Sequence, residues 1–138
     1  MNITEMAMTD YEEAYALWQA CEGIGLSAAD APERIARYLA RNPGMSFTAR
    51  DVHGRLVGTV LCGHDGRRGY LHHLAVDAGS RGQGIGRALV ARSIAALRAE
   101  GIDRCHLFVY RKNQGGRAFW RNIGWEERVT LAIMSYDV

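Results

Sequence analysis

Proline is nearly missing from this chain, at 2 of 138 residues, which argues against Pro-rich linkers or an extended disordered arm. No low-complexity tract and no internal repeat interrupts the sequence. No apolar stretch approaches the length of a membrane span, and Asn2, Ile3, Thr4 and Glu5 lack the basic-then-apolar order of an export signal. The chain therefore reads as cytoplasmic, with no membrane partner. Cys21, Cys62 and Cys105 are odd in number, far apart and outside any metal-ligand spacing, so they read as small core residues and no metal is expected. Lysine is scarcer still: Lys112 is the one lysine among 17 bases. Bases of either kind are absent from residues 1–33, which hold seven acids; the remainder sets seventeen bases against eight acids, a formal +9. Such a field favours an anionic ligand on the later part and a cationic one near the earlier part. For Asp10, Glu12, Glu13, Asp30 and Glu33 alone, first-turn positions on two solvated helices are the expectation.

What is present fits one ordinary core. A length of 138 residues is enough for one domain and short for two, with 48% hydrophobic and 23% charged residues, so residues 1–138 are expected to form a single domain. Ile3 to Met8 can be a strand. Thr9-Asp10-Tyr11-Glu12 reads as a capping box opening a helix to about Glu22, and Asp30-Ala31-Pro32-Glu33 opens a second, to about Arg41. Ser46 to Arg50 and Leu56 to Cys62 form a hairpin pattern, and Tyr70 to Val76 is a further strand. A helix follows with Ile85, Leu89, Val90, Ile94 and Leu97 on one arc, ending at Glu100-Gly101. Cys105 to Tyr110 is a strand pattern, Asn113 can cap a short helix to about Asn122, and Val129 to Tyr136 has strand composition. This order predicts an α/β or α+β fold, a mixed, partly antiparallel sheet with about four helices.

The run Arg81-Gly82-Gln83-Gly84-Ile85-Gly86 joins the Tyr70–Val76 strand to the long helix. Glycines at a helix start let an anion approach bare amides, where the helix dipole adds partial positive charge. A Walker loop is excluded, because Gly86 is followed by Arg87 and Ala88 rather than Lys and Ser/Thr. A dinucleotide fingerprint starting at Gly84 meets Leu89 where a small residue is needed. An anion cradle of another kind remains.

These residues resemble the GNAT acyltransferase superfamily. Its nucleotide-cradle pattern follows a strand ending in a Leu-x-Val-like sequence, here Leu74-Ala75-Val76, and is matched by Arg81 to Gly86. A second signature is matched by Asn113, Ala118, Phe119-Trp120 and Gly124-Trp125. The resemblance covers nearly the whole chain in element order. It implies a sheet with splayed middle strands and acetyl-CoA as co-substrate, in the wedge between the strands ending at Val76 and near Tyr110. Leu74, Ala75 and Val76 would line the pantetheine arm with backbone groups. The amides of Gly82, Gln83, Gly84, Ile85, Gly86 and Arg87 would hold the pyrophosphate, aided by Arg81 and Arg87. Asn113 would cap its helix and bond the arm, beside Phe119 and Trp120. Arg111, Lys112, Arg117 and Arg121 lie where they can reach the 3'-phosphate end, although solvated surface roles are the simpler expectation for each.

The activity so implied is N-acetylation of a primary amine, a small molecule or a peptide N-terminus, by direct attack in a ternary complex. An alkylammonium has a pKa of about 10.4, so a proton acceptor is useful. His72 is the expected base; by alternation it shares a face with Tyr70, Leu74 and Val76, with His73 opposite as a structural residue. Tyr70 to Val76 also looks like the matching strand of aralkylamine N-acetyltransferases, where a histidine at this place is implicated in proton removal. The backbone N–H of Leu74 is expected on the acetyl oxygen. Many family members place Tyr as a general acid where this chain has Trp120, which cannot give up a proton. That departure, with the missing carboxylate base, motivates the alternative of a catalytically weak acyl-CoA-binding or sensory module. Trp18, Tyr11, Tyr15, Tyr38 and the link Glu22 to Ala29 are expected around an amine acceptor, a cationic one given the acidic N-terminal stretch. The arginines are too scattered for a nucleic-acid partner, and a homodimer is compatible with the resemblance.

Overall fold

The computed structural model describes all residues, Met1–Val138. They form two compact units, Met1–Phe108 and Val109–Val138. The first holds five strands, β1 (Asn2–Glu5), β2 (Phe47–Arg50), β3 (Leu56–His64), β4 (Gly69–Val76) and β5 (Cys105–Leu107), with helices α1 (Tyr11–Ala20), α2 (Pro32–Arg41) and α3 (Ile85–Ala99). The strands lie side by side in chain order, antiparallel from β1 to β4 and parallel between β4 and β5. The second unit contains α4 (Gln114–Asn122).

Each face of the sheet is closed by the apolar arc of a helix. Against one face, α3 buries Ile85, Leu89, Val90 and Leu97. The approach is close: a Cβ on Gly58 of β3 would stand 2.9 Å from a Leu89 methyl. Against the other face, Tyr11, Ala14, Leu17 and Trp18 of α1 and Ile35 of α2 pack with Leu56, Leu61 and Ala75. Trp18 sits at the centre, fully buried, with Tyr11 and Tyr15 edge-on to its ring.

Several local expectations need correction. Thr9 does not cap α1. A short 3-10 turn, Met8–Asp10, precedes the helix, and Asp10 instead accepts from the Ala7 N–H (2.9 Å) while its other oxygen meets Arg50 at 2.8 Å. Glu13, itself exposed, joins the same guanidinium at 3.0 Å, so these acids tie the start of α1 to β2. Asp30 does not cap α2 either. It closes a 3-10 turn by accepting from the Ser27 N–H (3.0 Å) and is buried. Each carboxylate puts one oxygen on an N–H three residues back and the other on a partner distant in sequence, Arg50 for Asp10 and His73 for Asp30.

β5 stops at Leu107, so Tyr110 lies outside it, with its carbonyl accepting from the Asn113 N–H at 2.9 Å. Val129 to Tyr136 is not a strand. Its backbone is irregular, and Val129, Leu131, Ile133, Met134 and Tyr136 are exposed. Strand formers make a strand only against a hydrogen-bonding neighbour, and the second unit contains none. Two of the three free thiols are quiet: burial pushes Cys62 up to about 12 and Cys105 up to about 11, so neither is a thiolate at neutral pH. No helix is long and apolar enough to cross a membrane.

Candidate functional site

The ladder between β4 and β5 covers Gly69, Tyr70 and Leu71 and then ends. From His72 to Val76 the outer edge of β4 has no strand beside it, leaving main-chain groups of an otherwise paired sheet open. The inner edge is irregular at the same place. Thr59 pairs with Ala75 and Leu61 with His72, so the single residue Val60 stands opposite two, His73 and Leu74. This is a β-bulge, and His73 is the one non-glycine residue with positive φ, at 50°.

The bulge overturns the expected facing of β4. Alternation predicts His72 with Leu74 and Val76 and His73 opposite, but the extra residue resets the phase. His72 pairs with Leu61 on the α1/α2 face, while Val76 pairs with Gly58, which faces α3. His73 is on the α1/α2 face too, its ring 4.7 Å from that of Trp18. The two imidazoles therefore share one side.

They are held differently. The His73 Nε2 lies 2.6 Å from Oδ1 of Asp30, and its carbonyl accepts from the Thr59 hydroxyl (2.9 Å), which in turn accepts from the Trp18 indole N–H (2.9 Å). The Asp30 carbonyl accepts from the Tyr11 hydroxyl at 2.6 Å. His72 has ring neighbours only, Tyr38 at 6.4 Å and Phe108 at 6.3 Å between centroids, and burial pushes its pKa below the usual imidazole range, with His73 adding to the shift. The sign of the linkage follows: the unfolded chain binds a proton at 6.5 that folded His72 resists, so stability is lost as pH falls through 6.5 toward the lowered folded value. Urea unfolding of the protein and of His72→Gln at pH 7.5 and 5.5 is expected to give a smaller acid loss in the variant. Equal losses would refute this.

At the end of β4 the chain turns into the glycine run. Gly82 and Gly84 take φ of 79° and 81°, a left-handed conformation that costs other residues about 1–2 kcal/mol. No N–H from Gly82 to Arg87 meets an acceptor in the protein; the first to do so is Ala88, bonded to Gly84 O at 3.0 Å. These amides sit at the first turn of the 15-residue α3, and Gly86 is buried there. Arg87 is exposed. Arg81 turns back: its Nε donates to the Val76 carbonyl at 3.1 Å, and a terminal nitrogen lies 3.9 Å from the Cys21 sulfur. The Asp77 N–H bonds the Val57 carbonyl, so by antiparallel alternation Ala75 turns its main-chain groups to Thr59, and on the open edge Val76 keeps its N–H available while its carbonyl is engaged.

In the second unit, Asn113 Oδ1 accepts from the Gly116 N–H (2.9 Å) and caps α4. Phe119 and Trp120 meet edge-on at 5.2 Å, and Trp120 meets Trp125 edge-on at 5.0 Å, so Trp120 sits in an edge-to-face aromatic cluster. Arg117 is committed to Glu127 through two bonds of 2.8 and 3.0 Å and to the Arg111 carbonyl at 2.9 Å. Of the four bases expected near a phosphate, it is the one fully occupied by protein. Asp30 and Thr59 were missed by sequence reasoning. No spacing signals a contact between residues 30 and 73.

Comparison with known proteins brings these pieces to a class and then to a family. The model of the acetyltransferase (GNAT) family matches residues 11–125. An acetyltransferase of Photorhabdus laumondii is 33% identical over 128 residues, 93% of this chain and 88% of that protein. The crystal structure of a GNAT-family acetyltransferase from Staphylococcus aureus superposes with a TM-score of 0.81 at 24% identity, covering 95% of this chain and 88% of that one. A Mycobacterium tuberculosis structure in complex with CoA gives 0.68 at 20% identity, over 86% and 70%. The fold and the matches define an acyltransferase. The chain belongs to the GNAT acetyltransferase family.

Proposed function

We propose that this protein transfers an acetyl group from acetyl-CoA to a primary amine, by direct attack within a ternary complex, and that both units serve one N-acetyltransferase domain. The single observation that carries the reading is the row of six unsatisfied amides from Gly82 to Arg87 beside the open edge of β4. Amides at a helix start suit a pyrophosphate, and an unpaired strand edge suits the amide groups of a pantetheine arm. Both chemistries occur in one ligand, CoA, which is bound in the related fold from M. tuberculosis. When bound, the thioester supplies an electrophilic carbonyl carbon and a thiolate leaving group. The chain's own contributions are then orientation and proton handling. Gly82 to Arg87 would hold the diphosphate, and Leu74 and the N–H of Val76 would offer main-chain groups at the reacting end, while Ala75 stays paired with Thr59. Asn113, Phe119 and Trp120 belong to the donor side by family resemblance.

The amine preference has its own support. An ammonium must lose a proton before it can attack, and the two histidines of β4 are the groups suited to accept one near neutral pH. A cationic acceptor is favoured by the acid-rich residues 1–33, which include α1 and the link to α2.

Acetyl-CoA is to be incubated with the protein and a panel of primary amines, including peptides with free N-termini, while free thiol is followed. Thiol release that depends on the amine is expected, with the acetyl group recovered on its nitrogen. Tight acetyl-CoA binding without amine-dependent release would instead identify a sensory module and refute transfer.

A further inference from the structure

The two histidines of β4 look equivalent in sequence and are unequal in structure. A general base works best when a third group fixes its tautomer and direction. Neither ring nitrogen of His72 has a hydrogen-bond partner in the protein. His73 is fixed at three points: Nε2 against Asp30 at 2.6 Å, the ring face against Trp18 at 4.7 Å, and the carbonyl under the Thr59 hydroxyl at 2.9 Å. Asp30 is in turn fixed, with one carboxylate oxygen on the Ser27 N–H and its carbonyl under the Tyr11 hydroxyl. An ionised carboxylate can only accept, so the Nε2 facing it carries the hydrogen and Nδ1 carries the lone pair. Nδ1 makes no hydrogen bond within the protein and is not among its closed-off polar atoms. By covalent geometry it is the ring nitrogen nearer its own backbone, and that backbone is the bulge on the open edge of β4.

We propose that Asp30 and His73 form the proton-accepting dyad of the transfer, Asp30 holding Nε2–H while Nδ1 takes the proton of the acceptor ammonium. This rests on the amine acetyltransferase reading above. The steps balance as follows. One proton passes from the ammonium to Nδ1, and the freed lone pair forms the C–N bond to the acetyl carbonyl carbon. The C–S bond breaks with its electron pair on sulfur. The second proton of the nitrogen ends on the thiolate, giving amide and free thiol, and the imidazolium returns its proton to water. Asp30 stays ionised throughout and stabilises the imidazolium. The titratable groups facing His73 are Asp30 from the 3-10 turn, His72 beside it on β4, and Tyr11 from α1 through the Asp30 carbonyl; Trp18 of α1 and Thr59 of β3 do not ionise near neutral pH. The dyad also ties the link before α2 to the strand that carries the reacting edge.

The test uses the full chain and three variants, His73→Asn, Asp30→Asn and His72→Gln, with a primary amine on which the wild type releases thiol. Asn suits position 73 because it tolerates positive φ. At pH 7, His73→Asn is expected to lower kcat/KM about 100-fold, with the deficit shrinking as pH approaches the amine pKa of about 10.4. Asp30→Asn is expected to lower kcat/KM about tenfold, because the imidazolium loses the carboxylate that faces Nε2. His72→Gln is expected to keep the wild-type acid limb. Acetyl-CoA dissociation constants should agree within about twofold, below any loss of a charge-assisted hydrogen bond. Independently of turnover, the Nε2 proton of His73 should give a downfield NMR signal protected from exchange in the wild type and lost in Asp30→Asn. An acid limb removed by His72→Gln and kept by His73→Asn overturns the dyad, as does a His73 Nε2 proton signal that is the same with and without Asp30. Should His73→Asn fail to fold, Asp30→Asn and the proton signal decide. A wild type that releases no thiol with any amine refutes acetyl transfer itself, a result distinct from an active wild type whose His73→Asn variant is equally active.

Discussion

Trp18→Ala is expected to lower stability by about 3–5 kcal/mol, the usual loss for a large buried aromatic. The residue is fully buried and sits at the meeting point of α1, β3 and β4, touching Tyr11, Tyr15 and His73 by ring contacts and Thr59 by its indole N–H. At roughly 3–4 °C per kcal/mol for a chain of this size, the melting temperature should fall by about 10–20 °C. Trp18→Phe keeps one ring but gives up the rest of the indole and the donor to Thr59, and is expected to cost about 1–3 kcal/mol, less than Trp18→Ala. Thermal and urea denaturation of both variants checks the pair. A Trp18→Ala protein melting within two or three degrees of wild type would mean, at the same conversion, that this cluster is not the core of the first unit.

Gly84→Val should leave a folded protein whose affinity for acetyl-CoA falls about 100-fold. A Cβ at Gly84 would meet nothing within 4 Å, so crowding is not the cause. The cause is φ of 81°, which a β-branched residue avoids. The loop must relax toward negative φ, and the amides of Ile85 and Gly86 then lose their common direction. Each hydrogen bond to a charged group contributes about 1.5–3 kcal/mol, so losing one or two accounts for the fall. Gly79→Ala is the matched control: its φ is not positive and its nearest contact is an ordinary 3.4 Å to Asp77. Calorimetric titration of acetyl-CoA decides. Wild-type affinity in Gly84→Val would remove the glycine run from the donor site.

Much of this was readable from residues alone, and the failures have definite causes. The four helices and the strands from Phe47 to Val76 follow from periodicity and turn residues, which are local. The glycine run is legible because positive φ at a helix start leaves few residue choices. The phase of β4 was misread because alternation assumes one residue opposite one, and the bulge at His73 breaks that count. Asp30 was misread as a helix-start acid because its partner is 43 residues away. Val129 to Tyr136 was misread because β-propensity describes a side chain's fit to a sheet and supplies no neighbouring strand.

The extra residue opposite Val60 bears on how the protein balances durability against use. A chain lacking either His73 or Leu74 would keep Val76 opposite Gly58, Ala75 opposite Thr59 and His72 opposite Leu61. It would gain a regular ladder, with no need for a non-glycine residue in a left-handed conformation there. The sheet, considered only as a sheet, would be better without that residue. Trp18 and Thr59, brought together from two elements onto one carbonyl, are the investment that keeps it.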